Sequence, residues 1–169
     1  GALPKRADDL VKAAASIGGE QTQALTLARQ TLGKSLLIIA AEHLRGNAHI
    51  MSNQLNESAK VFAPHYVLSE LNHHLLEGLE SLKGARRHWS VVAFESPLYS
   101  DRMQRRVVIT RRVMEKQGFH SLGISMRGTR IQQALKILSL GSWWSYYLAI
   151  LAKKNPSQIP WVDYFKKQL

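Results

Sequence analysis

With 169 residues and no cysteine, the chain has the size of one domain, and disulfides, thiolate nucleophiles and cysteine zinc sites are excluded. An apolar fraction of 45% against 21% charged residues is that of a globular protein, and apolar runs such as Leu36 to Ala41 fall far short of the ~20 residues of a membrane-spanning helix. The net charge of +11 favours anionic ligands, and the lack of cysteine fits a reducing, cytoplasmic location.

The opening Gly1-Ala2-Leu3-Pro4 has no initiator Met and reads as an interior position of a longer protein. Residues 6–17 and 20–32 follow as two helices, carrying Leu10, Ala13, Ala14 and Ile17, then Ala24, Ala28 and Leu32 at helical spacing. These residues, 1–33, form a lead-in to a compact domain over 34–169. Gly33 closes the second helix, and the run Ser35 to Ala41 has the continuous apolar character of a strand covered on both faces.

The spacing of Ala48, Met51, Leu55 and Ala59 predicts a helix over 46–60, with His49, Asn53, Asn56, Glu57 and Lys60 as its polar stripe. Val61 to Val67, interrupted by Pro64, suggests an edge strand. A helix through Leu75 to Leu82 comes next, then a strand from Trp89 to Glu95. Ser100 to Gly118 reads as a long basic helix, and His120 to Met126 as another strand. Gly128-Thr129 opens a helix that Gly141-Ser142 is expected to break, the pattern restarting from Trp143 to Lys153. Asn155-Pro156 forces a turn, and Trp161, Val162, Phe165 and Leu169 mark a last short segment. Strands alternating with helices at this spacing imply a three-layer α/β domain, a parallel sheet with helices on both faces.

Glu57 falls near the C-terminal end of its helix, where the macrodipole disfavours negative charge and favours proton uptake. Such a carboxylate suits removal of a proton from carbon beside a carbonyl. On spacing alone it reads first as a solvated residue of a polar stripe. His73-His74 reads the same way, and His43, His49 and His65 complete no metal-ligand spacing. No Gly-x-Gly-x-x-Gly, Walker or Gly-x-Ser-x-Gly pattern occurs, so nucleotide cofactors and a hydrolase are unsupported. The densest basic cluster, Arg102, Arg105, Arg106, Arg111 and Arg112, is taken first as a solvated helix face, then as an attractor of anions, and last as a nucleic-acid surface. The aromatic run Trp143-Trp144-Ser145-Tyr146-Tyr147 is taken as core or interface packing before ligand stacking.

Three segments in order, Gln54-Leu55-Asn56-Glu57-Ser58-Ala59-Lys60, Ser69-Glu70-Leu71-Asn72-His73-His74 and Ser145-Tyr146-Tyr147-Leu148-Ala149, resemble the C-terminal half of bifunctional phosphoglucose/phosphomannose isomerases. The closing Val162-Asp163-Tyr164-Phe165-Lys166-Lys167-Gln168-Leu169 is similar to that family's end. The resemblance implies a sugar isomerase (SIS) domain with a flavodoxin-like parallel sheet. It also implies interconversion of glucose 6-phosphate or mannose 6-phosphate with fructose 6-phosphate, without metal or organic cofactor. By the same likeness Glu57 matches the base that moves a proton between C2 and C1 through a cis-enediol. His73 matches the ring-opening histidine that reaches the neighbouring subunit's site. Lys166 matches the terminal lysine that assists ring opening, with Lys167 one residue out of register.

The implied partners are a sugar-phosphate substrate, an N-terminal SIS domain of the same protein and a second copy in a homodimer; no membrane or nucleic acid is expected. Ser69 and His74 stand where the family has Pro and Asn, and Ile50 where it has Arg. Ala41-Glu42-His43-Leu44 replaces its glycine-rich turn. The phosphate-gripping Ser/Thr loop belongs to the family's other half, so this fragment is expected to be inactive alone. The alternative to an isomerase is a non-catalytic SIS module that binds a sugar phosphate as a signal.

Overall fold

A computed structural model of the chain describes residues 7–169; Arg6, the first residue expected in helix 6–17, and the opening segment lie outside them. Four strands, β1 (Ser35–Ala40), β2 (His65–Val67), β3 (Trp89–Glu95) and β4 (His120–Ser125), form one parallel sheet in the order β2-β1-β3-β4. This is the flavodoxin-like doubly wound order. Leu36 to Ala40 and Ser90 to Phe94 are buried without alternation, because both central strands are covered on two faces. Their register pairs Leu37 with Val91 and Ile38 with Val92.

The helices are α1 (Ala7–Ala15), α2 (Glu20–Thr31), α3 (Arg45–Glu57), α4 (Leu71–Gly78), α5 (Asp101–Lys116), α6 (Arg130–Leu151) and α7 (Pro160–Lys166). On one face α3 packs against β1 and β2 and against α6, which in turn packs on α2. On the other, α5 lies over β3 and β4. It is tied to α4 by Asn72 Nδ2 donating to Thr110 Oγ1 at 2.8 Å and Gln117 Nε2 to the Leu76 carbonyl at 3.1 Å.

Two sequence expectations need correction. The helix expected from Leu75 begins at Leu71 and passes into a 3-10 turn over Leu79–Leu82; polar Asn72, His73 and His74 hid its first turn. The break expected at Gly141-Ser142 does not occur, and α6 runs unbroken for 22 residues. Gly141 marks a close approach to α3: a Cβ there would fall 2.2 Å from Gln54 Oε1 and 3.3 Å from the Met51 methyl. The backbone cost of a helical glycine, about 1 kcal/mol, is offset by that contact. The start of α6 is as expected, with Thr129 Oγ1 accepting from the Gln132 N–H and Gln132 Oε1 from the Thr129 N–H, a capping box.

Two histidines at the margins of the sheet, His65 half-buried and His120 at the start of β4, make stability sensitive to acid. The rings of His49 on α3 and His65 on β2 stack at 4.8 Å. Partial burial, then the neighbouring His49, holds the His65 pKa below the usual histidine value; burial and then Lys34 do the same for His120. The unfolded chain, with ordinary histidines near pKa ~6.5, therefore takes up protons at higher pH than the folded chain. Stability is fully present above that value and is lost as pH falls through it towards the lowered folded values. Melting temperature should fall between pH ~7.5 and ~5.5, and His65→Gln should flatten that fall; an equal slope in the variant would remove His65 as its source.

Candidate active site

The end of α3 is fixed by its own side chains. Ala48, Met51 and Leu55 are buried against the sheet. Ser52 Oγ donates to the Ala63 carbonyl at 2.6 Å, and Asn56 Nδ2 to the Ser52 carbonyl at 2.7 Å and the Ala63 carbonyl at 3.2 Å. Asn56 thus binds the returning strand to the helix and leaves its neighbour, Glu57, pointing outward. Lys60 turns the chain with φ +57°, a left-handed conformation common where helices end. Its ammonium donates to the Glu57 backbone carbonyl and, at 3.3 Å, to the Pro156 carbonyl. Lys60 thus clamps the helix end through backbone carbonyls and forms no ion pair with the Glu57 carboxylate.

Glu57 is exposed and lines an open groove of about 410 Å³ with Asn53, Asn56 and Lys60. The opposite wall is Gln158, Ile159 and the start of α7, Pro160, Trp161 and Val162. No ion pair holds the Glu57 carboxylate among the described residues. Trp161 is 83% exposed, an aromatic face beside a carboxylate. Sequence reasoning missed it as a wall of this groove; Asn155-Pro156, which turns the chain back towards α3, was its one signal. Lys166 is the last residue of α7 and exposed, and Lys167 follows it; neither lines the groove, although the start of α7 forms part of its wall.

His73 lies elsewhere. Leu36 N donates to the Phe62 carbonyl at 3.0 Å, so the segment leaving α3 stands beside the start of β1, whereas Leu68 N meets the Ala40 carbonyl at 2.9 Å at the end of that strand. Glu57 therefore sits at the amino end of the sheet, and His73, in the first turn of α4, at its carboxyl end. Their separation is roughly 20 Å, the length of a six-residue strand. His73 is exposed. One copy of the chain brings Glu57 and α7 together but does not bring His73 to them.

At the carboxyl end of the strands, where parallel sheets commonly bind ligands, the polar groups are tied to each other. Gln133 is buried, its Oε1 accepting from Ser96 Oγ at 2.7 Å and lying 3.0 Å from His43 Nε2. Tyr99 Oη accepts from the Ala41 N–H at 3.3 Å, and burial pushes its phenol well above the usual tyrosine range. Glu42, with φ +44°, accepts from the Ser100 N–H and Oγ at 3.0 and 2.8 Å. The turn after β1 is thus held by side chains instead of glycines.

The model of the bacterial phospho-glucose isomerase C-terminal SIS domain matches residues 20–169. A bifunctional phosphoglucose/phosphomannose isomerase of Pyrobaculum aerophilum is 31% identical over 132 residues, which are 78% of this chain and 39% of that protein. The chain thus spans well under half the length of this relative. Among solved structures, a glucose-6-phosphate isomerase-like protein from Thermus thermophilus superposes with TM-score 0.66 at 19% identity, over 82% of this chain and 46% of that one. The C-terminal domain of glucosamine-fructose-6-phosphate aminotransferase from Francisella tularensis gives TM-score 0.68 at 16% identity, over 89% and 46%. These two likenesses carry the fold; the sequence match carries the family. With that model matched over residues 20–169 and a relative 31% identical over 78% of this chain, the chain belongs to the bacterial phospho-glucose isomerase C-terminal SIS domain family.

Proposed function

We propose that this chain is the C-terminal half of an aldose–ketose isomerase acting on glucose 6-phosphate and mannose 6-phosphate, with fructose 6-phosphate as the common product. The observation that carries this reading is the Glu57 carboxylate, free of ion pairs among the described residues, in a groove wide enough for a hexose and walled by the helix that ends in Lys166. Glu57 removes the proton from C2 of the open-chain aldose, and the C–H electron pair forms the C1=C2 bond of a cis-enediol. The carbonyl oxygen takes up a proton, Glu57 returns its own to C1, and the C2 hydroxyl loses one to become the ketone. Ring opening precedes this, with His73 giving a proton to the ring oxygen and Lys166 assisting at the anomeric hydroxyl.

Because Glu57 and His73 lie at opposite ends of one sheet, the histidine of each site comes from a second copy. The phosphate grip lies on a preceding half that the curated relative's length leaves room for. Positioning of that kind can contribute ~7–11 kcal/mol, so the 169-residue chain alone should show little turnover.

The test is complementation in the complete protein. Glu57→Gln and His73→Asn should each be inactive in a coupled assay for fructose 6-phosphate conversion. Mixed by co-expression, they should recover roughly a quarter of wild-type activity, since half the random dimers carry one intact site of two. No recovery would place both groups in one subunit or outside the chemistry. Binding of glucose 6-phosphate without turnover by the complete wild-type protein would favour the signal-binding module instead.

A further inference from the structure

A second groove, about 390 Å³, lies between α4 and α5 on the face of the sheet away from α3, lined by Arg102, Arg105, Arg106, Asn72 and Thr110 with apolar Leu76, Ile109 and Val113. The arginines stand at i, i+3 and i+4 of one helix, so their guanidinium groups share one side of it. None of the three has an ion-pair partner among the described residues, although Arg86 pairs with Glu80, and Arg111 with Glu95 and Glu115. Three like charges without a counter-charge repel one another, and an anion between them relieves that repulsion.

The groove is also ordered in advance. Arg106 Nη1 donates to Asn72 Oδ1 at 3.3 Å, Asn72 Nδ2 to Thr110 Oγ1 at 2.8 Å, and Thr110 Oγ1 to the Arg106 carbonyl at 2.8 Å. Thr110 is 2% exposed. This closed chain holds one guanidinium half-buried on the groove wall while Arg102 and Arg105 remain exposed above it. Fork-shaped donors from several arginines match the three terminal oxygens of a phosphate group, and the apolar residues offer a surface to the carbon part of an ester.

We infer that the α4–α5 groove is an anion site for a small phosphate-bearing metabolite, separate from the groove of Glu57. The inference does not depend on the isomerase reading, since it needs neither Glu57 nor turnover. It revises the view of Arg102, Arg105 and Arg106 as a merely solvated face, whereas Arg112 stays outside the groove.

Calorimetric and NMR titrations of the 169-residue chain and of the complete protein at low salt, with inorganic pyrophosphate, inorganic phosphate and glycerol 3-phosphate, an ester that is not the proposed substrate, as probes, test this. Saturable binding is expected, with amide shifts centred on residues 71–76 and 102–113. Arg105→Gln and Arg106→Gln should each weaken it roughly 10- to 100-fold, and Arg112→Gln should leave it unchanged. Tighter binding of the ester than of inorganic phosphate would identify a metabolite as the source; the reverse order would identify free phosphate, and either supports the site. Equal affinity in all three variants, shifts centred elsewhere, or no saturation would overturn it. So would an effect of Arg105→Gln and Arg106→Gln on self-association alone. Preferred binding of a single-stranded oligonucleotide, with a salt slope of several charges instead of one or two, would also overturn it in favour of nucleic acid.

Discussion

Glu57→Gln in the complete protein should lower kcat for fructose 6-phosphate conversion by about 10³-fold, within the range a positioned general base supplies. KM should change little. The glutamine keeps the shape of the side chain, and the Lys60 clamp reaches the backbone carbonyl, not the carboxylate, so the helix end is left as it was. On the proposed isomerase reading, what disappears is the carboxylate assigned to carry a proton from C2 to C1. A loss confined to KM, or a fall of less than about tenfold, would assign the carboxylate to binding and move the base elsewhere. Solvent-exchange measurements sharpen the readout, since residual turnover without the carboxylate should lose the internal transfer of label between the two carbons.

The largest effect on stability should come from Trp144→Ala. Trp144 is fully buried in the seam between α2 and α6, among Ala24, Leu27, Ala28, Leu140 and Leu148, and its indole N–H donates to Thr31 Oγ1 at 3.2 Å. Removing the ring should cost about 3–5 kcal/mol, a large share of the ~5–15 kcal/mol of a typical domain. Urea unfolding should show a lowered midpoint with an unchanged slope. Trp143→Ala one residue earlier removes a ring that is 37% exposed and stacked on Tyr147 at 5.8 Å, and should cost about 1 kcal/mol or less. Equal losses for the two would mean that α2 is not docked as described. Trp144→Phe separates packing from hydrogen bonding, because Thr31 Oγ1 keeps its own bond to the Leu27 carbonyl at 2.7 Å.

The sheet was legible because its central strands announce themselves. Ser35 to Ala41 is apolar without alternation, and a strand buried on two sides uses such a run at that length. Helix α6 was misread at Gly141 for the opposite reason. A glycine in a helical pattern looks like a terminus until the neighbouring helix is present, and only then is its missing side chain seen to face Gln54 and Met51. The aromatic run after it divides accordingly, with Trp144 in the core and Trp143 and Tyr146 on the surface.

The candidate site followed a different logic. Spacing offered Glu57 only as one polar residue of a stripe, and the motif around it, not its periodicity, singled it out. Its groove had no signal beyond the Asn155-Pro156 turn, since Trp161 meets it from far along the chain, beyond three further strands. The arginine cluster shows the same limit. Composition gives the charge on α5, but which arginines converge and which pair off depends on Asn72 and Glu95 from other parts of the fold and on Glu115 at the far end of the helix.

Placing the Glu57 carboxylate and the His73 ring at opposite poles of one sheet has a consequence for handling the protein. If the chemistry needs both, dilution is an off switch that leaves every chain folded. Specific activity should then fall below a threshold concentration while circular dichroism stays native, and assays at nanomolar enzyme would report inactivity for an intact catalyst.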